Sequence, residues 1–283
     1  MTNSRLRNTI LSFLFLLGGY QSAFATHIIG GEMNYKCLGN NEYQISLTVY
    51  RDCFLGEAPL DDTAYVGIFD IANELVLTLP MLLGDIDTIL QEDNCLQIPP
   101  NICVETTTYV DTITLMPQAG GYHIAYQRCC RNGTILNIID PLNTGSTYEI
   151  QLSETAMLSC NSSPILNDWP PTFVCVNRPL VYSSAAFDED GDSLAYRLCT
   201  PFEGGLSMTN PRPRPSFPPP FDTVRWNSPT YSLDNLLGGV PLEIDPLTGL
   251  MTATPNIIGQ FVVGVCVDEY RDGVLLSLSL IHI

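Results

Sequence analysis

Apolar and polar residues alternate along this chain with a period of two, in short runs separated by turn residues about every eight to twelve positions. In "QISLTVY", Ile45, Leu47 and Val49 face one way while Gln44, Ser46 and Thr48 face the other, as on an antiparallel strand with one wet face. "EMNYKC" and "YQISLTVYR" flank "LGNNE", which predicts a hairpin. "TAYVGIFDI", "ELVLTLPML", "TTTYVDTITLM", "GYHIAYQRCC" and "STYEIQLS" continue the series. Residues 26–158 thus have the strand number and spacing of a β-sandwich domain, and helical periodicity is almost absent.

The turn-rich "CNSSPILNDWPP" marks a linker over 159–172. A second set of strands follows over 173–283: "TFVCVNRPLVYS", "DSLAYRLC", "DTVRW", "VPLEID", "GLMTATP" and "GQFVVGVCVDEY". "DPLTG" (245–249) and "RDG" (271–273) are turn sequences, the latter because Asp-Gly readily supplies positive φ. The insertion 200–221, "TPFEGGLSMTNPRPRPSFPPPF", is too rich in proline for a central strand. It reads as a connecting loop or as an extended polyproline recognition surface. The fold class expected is all-β: tandem Ig-like or cadherin-like antiparallel β-sandwiches stapled by disulfides.

The first 25 residues change the compartment. Arg5 and Arg7 precede a short apolar core, "ILSFLFLLGGY", and "AFA" (23–25) offers a small-x-small cleavage site. This is a signal peptide, too short in its apolar run for a membrane span, and it implies export with no span in the mature chain. The ten cysteines, Cys37, Cys53, Cys95, Cys103, Cys129, Cys130, Cys160, Cys175, Cys199 and Cys266, all follow the cleavage site. An even count in an exported chain reads as a disulfide framework with about 945 formal pairings. The absence of CxxC removes the usual zinc-ribbon and thioredoxin signature. Because neighbours on a strand point to opposite faces, Cys129 and Cys130 are expected to bond different partners.

Charge excludes a further class. The formal net charge is −18, and losing Arg5 and Arg7 with the leader takes it to −20. Lys36 is the sole lysine. Such a chain repels nucleic acid and suits divalent cations.

Several segments together resemble a known family. "ATHIIGGEMNYKCLGNNEYQISLTVYRDC", "YQRCCRNGTILNI", "FDEDGDSLAYRLCTP" and "IDPLTGLMTATPNIIGQFVVGVCVDEYRDGVLLS" are similar to the N-terminal region of large secreted surface proteins of Bacteroidota. Those proteins carry Ig-like, PKD-like or cadherin-like modules and a gliding-motility-associated C-terminal domain. In cadherin-like modules a "D-x-D-G-D" segment precedes a strand, and a later "P-x-x-x-G-x-F-x-V-x-V" element is matched here by Pro255, Gly259, Phe261, Val263 and Val265. The resemblance implies a cell-surface protein with structural or adhesive modules, whose partner is a surface glycan or another surface protein. The sequence ends inside a strand pattern, and "LSLIHI" looks like translated sequencing adapter, which implies a truncated fragment missing further C-terminal modules.

The stretch "DEDGD" (188–192) puts four acids into five positions directly before a strand in which Leu194, Tyr196 and Leu198 share a side. Two like charges 4 Å apart cost about 1 kcal/mol in water and about 4 kcal/mol at an effective dielectric of 20. The run therefore favours full solvation or a counter-ion. It is not an EF-hand: counted from Asp188, Gly191 stands at position 4, Ser193 at 6 and Cys199 at 12. A less regular calcium site, built from Asp188, Asp190 and Asp192 with Asp268 and Glu269 of "VDEYRD" (and Asp272 nearby), is one reading. A solvated Asp/Gly turn is the other. Catalytic carboxyls need separated environments, which a contiguous run does not supply.

HExxH, GxSxG and P-loop motifs are missing. His27 lies at the expected mature N-terminus, His123 in a strand pattern and His282 in the terminal run. "NGT" (132–134) and "NSS" (161–163) are N-glycosylation sequons, and Thr63, Thr88, Thr112 and Thr223 sit in D-T-aliphatic triplets resembling Bacteroidota O-glycosylation acceptors. Trp169, Trp226 and Tyr231 are aromatics that would either stack on sugars or pack inside. The function expected is a non-enzymatic exported surface protein with calcium as its candidate cofactor. The alternative is the carbohydrate-binding accessory region of a secreted hydrolase.

Overall fold

The computed structural model describes residues 28–54, 56, 59–89, 102–168, 171, 173–205 and 210–282. The leader, Cys95, Trp169 and His27 lie outside the described residues. The strands of the first block are β1 (Ile28–Gly39), β2 (Glu42–Asp52), β3 (Thr63–Phe69), β4 (Leu75–Leu82), β5 (Ile86–Thr88), β6 (Val104–Thr114), β7 (Tyr122–Arg128) and β8 (Ser146–Leu152). One short helix, α1 (Glu154–Ser159), and β9 (Ile165–Leu166) follow. The second block holds β10 (Leu180–Ser183), β11 (Ala186–Phe187), β12 (Ser193–Cys199), β13 (Val240–Ile244), β14 (Leu250–Thr254), β15 (Gly264–Arg271) and β16 (Val274–His282).

All ladders between these strands are antiparallel. The order β4-β3-β7-β8-β16-β1-β2-β6-β5 forms one long path, with β15 on the other edge of β16 and β12 beyond it. Its two wings close over a single core. Tyr43, Ile45, Leu47 and Val49 of β2 are buried alternately with half-exposed Gln44, Ser46 and Thr48, and meet Val66, Ile68, Ile124 and Ile150 from the opposite wing. The β1–β2 turn uses Asn40 and Asn41 at φ 53° and 63°, conformations that asparagine tolerates better than most residues.

The three-stranded sheet β10-β14-β13 covers a second core with Tyr196, Val265, Val267 and Ile281 from β12, β15 and β16. The boundary over 159–172 does not separate two ladders. Ser277–Ser279 of β16 pair with β8, His282 pairs with Gly31 of β1, and β15 runs along the other edge of β16. Leu276 packs in the first core and Ile281 in the second, so one strand belongs to both.

Cys37–Cys160, Cys53–Cys103 and Cys199–Cys266 are bonded, with Cα separations of 5.4, 5.1 and 5.9 Å. Cys129 and Cys130 are bonded to each other, which corrects the expectation of separate partners. The alternation rule applies within a ladder, and β7 ends at Arg128. Cys175 is a thiol among the described residues. The helix α1 escaped the periodicity analysis because it spans under two turns; Ser153 caps it by accepting from the Ala156 amide at 3.1 Å.

The proline-rich insertion is docked on its own chain. Arg212 pairs with buried Asp61 at 3.0 Å, the Arg214 guanidinium lies 4.5 Å over the Tyr65 ring, and the Phe217 amide donates to Gln127 at 2.8 Å. Asp61 also meets Arg128 at 3.1 Å and accepts from the Tyr126 hydroxyl at 2.9 Å. The described part of the segment is thus a strap across β3 and β7.

Candidate metal centre at the joint of the two cores

The acidic run becomes a tight turn between β11 and β12. Asp188 Oδ1 accepts from the amides of Asp190 (3.1 Å) and Asp192 (2.8 Å), and Gly191 sits at φ 82°, where most side chains would be strained. Asp188 Oδ2 is enclosed and meets no hydrogen-bond donor. The turn carries Asp192 toward β15, where alternation aims Glu269 inward and Asp268 outward.

Asp188, Asp192 and Glu269 each offer an oxygen within 4.8 Å of the others. Two sequence candidates go elsewhere: Asp190 accepts from the Ser162 amide at 2.7 Å, and Asp268 pairs with Arg197 at 3.1 Å on the other face of β15. Glu189, the fourth acid of the run, pairs with Lys36 at 2.6 Å at the surface, and Asp272 forms the β15–β16 turn at φ 52°.

Three further residues surround the cluster. Asn161, fully buried just beyond α1, donates to Glu269 at 2.7 Å and accepts from Arg271 at 2.6 Å. Arg271 grips Asp192 through both carboxylate oxygens at 2.7 and 2.5 Å. Ser277 of β16 donates to the other oxygen of Glu269. Asn161, Arg271 and Ser277 were not foreseen; their only sequence signal is proximity to turn residues or to other candidates.

Burial raises the Glu269 carboxyl from its ordinary 4.5 to about 8, with Asp192 and Asp188 pushing the same way and Ser277 and Asn161 opposing. The Arg271 hydrogen bonds hold Asp192 below the ordinary range. At neutral pH without a cation, Glu269 therefore keeps a proton. The oxygens of Asp188, Asp192 and Glu269 form a hard donor set of the kind calcium takes, and a divalent ion there would remove the like-charge repulsion that the proton otherwise relieves.

The other candidates are placed as follows. His123, on β7, lies 2.5 Å from Glu149. Asn132 and Asn161, the two sequon asparagines, are 4% and 0% exposed and so are closed to glycan attachment in the folded chain. Thr88, Thr112 and Thr223 are exposed and Thr63 is half-buried. Tyr231 is buried, its ring 6.0 Å from that of Phe261, and half-buried Trp226 packs against the second core.

No protein-family model, no curated protein and no solved structure matches this chain. Among the described residues no helix is long and apolar enough to cross a membrane.

Proposed function

We propose that this chain is a non-enzymatic, exported cell-surface protein whose β modules serve a structural or adhesive role, with calcium clamping the joint between its two cores. The observation that carries the reading is the convergence of Asp188, Asp192 and Glu269 within 4.8 Å, with the enclosed Asp188 Oδ2 lacking a donor. Glu269 is held by Asn161 and Ser277, so an ion there would join the acidic turn, β15, β16 and the segment following α1. A cation at such a joint resists relative motion of the cores, which suits a spacer or a rigid binding head. The disulfides fit an oxidising compartment. The resemblance to Bacteroidota surface proteins supports the same role, with a glycan or another surface protein as partner. The hydrolase-accessory alternative needs a stacking platform, and the burial of Tyr231 together with the packing of half-buried Trp226 against the second core does not favour it.

The test is thermal unfolding of the oxidised mature chain in EDTA and in about 10 mM calcium. A dissociation constant of about 10⁻⁴ M makes that roughly 100-fold excess, worth about 2.7 kcal/mol, or a rise of about 5–10 °C. Asp188→Asn, which keeps the oxygen that closes the turn, is expected to abolish the rise. Equal unfolding temperatures in both buffers would instead make the run a proton-shared and arginine-paired turn.

A further inference from the structure

Where the first block meets the small sheet of the second, apart from the acidic joint, the described residues line a cavity of about 450 Å³. Ile29, Val104 and Ile135 line it from the first block and Leu180, Leu242 and Met251 from the second. Val174 and Ile258 also line it and are 39% and 84% exposed, so its mouth opens to solvent and is itself apolar. The volume falls within the range of small-molecule sites, which lie preferentially at such junctions between units.

What such a cavity accepts depends on whether its polar groups are free. Four of the described lining residues, Asp52, Asn132, Tyr182 and Gln260, have polar side chains, and each has a partner within the chain. Asp52 accepts from the Phe54 amide at 2.8 Å and from the Asn132 side-chain amide at 3.3 Å, and Asn132 in turn accepts from the Thr134 amide at 3.1 Å. The Tyr182 hydroxyl donates to the Asp168 carbonyl at 2.6 Å, and the Gln260 side chain accepts from the Thr134 hydroxyl. Backbone groups of the lining are engaged as well. The Pro255 carbonyl accepts from the Asn177 amide at 2.7 Å, and the amide and carbonyl of Val262 both bond to the Asn137 side chain, at 2.9 and 2.8 Å. A charged or strongly polar ligand group inside would therefore lose its water without gaining a hydrogen bond, whereas apolar surface is favoured in proportion to the area removed from water. From the apolar walls and these engaged polar groups we infer that the cavity is a binding site for a small neutral hydrophobe, an alkyl or aryl compound with no ionised group, held by shape and apolar burial. The site is separate from the acidic joint and does not depend on calcium.

The test uses two dyes of nearly the same shape, neutral N-phenyl-1-naphthylamine and anionic 8-anilino-1-naphthalenesulfonate, whose sulfonate lies beside the bridging nitrogen and so enters with the rings. Both are titrated by fluorescence into the oxidised mature chain in about 1 M sodium chloride, where a screening length of about 3 Å removes long-range repulsion from the chain's net negative charge. The neutral dye is expected to saturate near one equivalent and to bind at least about tenfold tighter than the sulfonate. 1-Naphthylmethylammonium is expected to displace it no better than 1-naphthalenemethanol, because the lining carboxylate of Asp52 already has its partners. Val176→Trp, which adds a ring system to the lining at a half-buried position outside both cores, is expected to weaken neutral-dye binding at least about tenfold by filling the space. The rim variant Val174→Asp/Ile258→Asp, at exposed positions, is expected to do the same and keeps the test open if Val176→Trp unfolds. Absence of saturable binding, equal affinity for the two dyes, better displacement by the ammonium compound, or indifference to a folded variant of either kind would each overturn the assignment.

Discussion

Glu269 and Glu32 give the molecule a pH dependence that can be worked out by sign. Burial raises Glu269 to about 8 and Glu32 to about 7, both from an ordinary 4.5. Between the ordinary and raised values the folded chain binds more protons than the unfolded one, so stability falls as pH rises through that window. In EDTA the unfolding temperature is expected to decline from about pH 5 to about pH 8, steadily rather than at one step, because the two groups titrate apart. Glu269→Gln should flatten the upper part of the decline, and Glu32→Gln the lower. Saturating calcium should also flatten the upper part, because an ion that favours the ionised carboxylate replaces the proton. Differential scanning fluorimetry across pH, with and without calcium, checks all of these; a temperature independent of pH over this window would show that neither buried acid is protonated on folding.

At the level of elements, the strap and the hairpins hold by different means. The β15–β16 hairpin closes locally, with Asp272 and Gly273 both at positive φ, and this follows directly from "RDG". The proline-rich strap depends on one buried acid 151 residues from Arg212, since Asp61 takes Arg212, Arg128 and the Tyr126 hydroxyl together. Removing one partner of a buried pair leaves an uncompensated charge, which costs about 3–5 kcal/mol. Asp61→Ala is therefore expected to destabilise the protein by about that amount in urea unfolding, chiefly by stranding Arg128. Arg212→Ala, whose side chain is 37% exposed, should cost about 1 kcal/mol or less. Similar costs for the two variants would mean that Arg128 does not depend on Asp61.

Across the whole molecule, β16 joins what the linker sequence divides. It pairs with β8 and β1 on one edge and β15 on the other, and its side chains enter both cores. The two blocks are therefore expected to melt in one calorimetric transition. A chain of residues 26–158 alone leaves part of β8 and β1 without its β16 partner and should melt at least 10 °C lower or aggregate, since each kcal/mol is worth roughly 2–8 °C across domains of about 60 to 250 residues. Two separate transitions in the full chain, or a fragment as stable as the whole, would contradict that coupling.

Most strands, the inward face of β2, both hairpin turns and the acidic turn before β12 were legible in the sequence, because each depends on neighbours within a few residues: side-chain alternation, Asn and Asp-Gly turn chemistry, and a carboxylate that caps its own loop; "DTVRW" (222–226), read as a strand, makes only isolated bridges at Thr223 and Trp226. Export and a disulfide framework were likewise expected from the leader pattern and the even cysteine count. The tertiary structure alone decided which acids meet. Asp188 and Asp192 join Glu269, while Asp190 turns to the Ser162 amide and Asp268 to Arg197, because one step along β15 reverses the direction of a side chain. It also decided that Asn161 completes the cluster, that Cys129 and Cys130 bond each other, and that β16 closes the first sheet. Those outcomes depend on strand register and chain path between segments up to about 250 residues apart (Gly31 and His282 at the extreme), and a local pattern carries no information about which distant edge a strand will find.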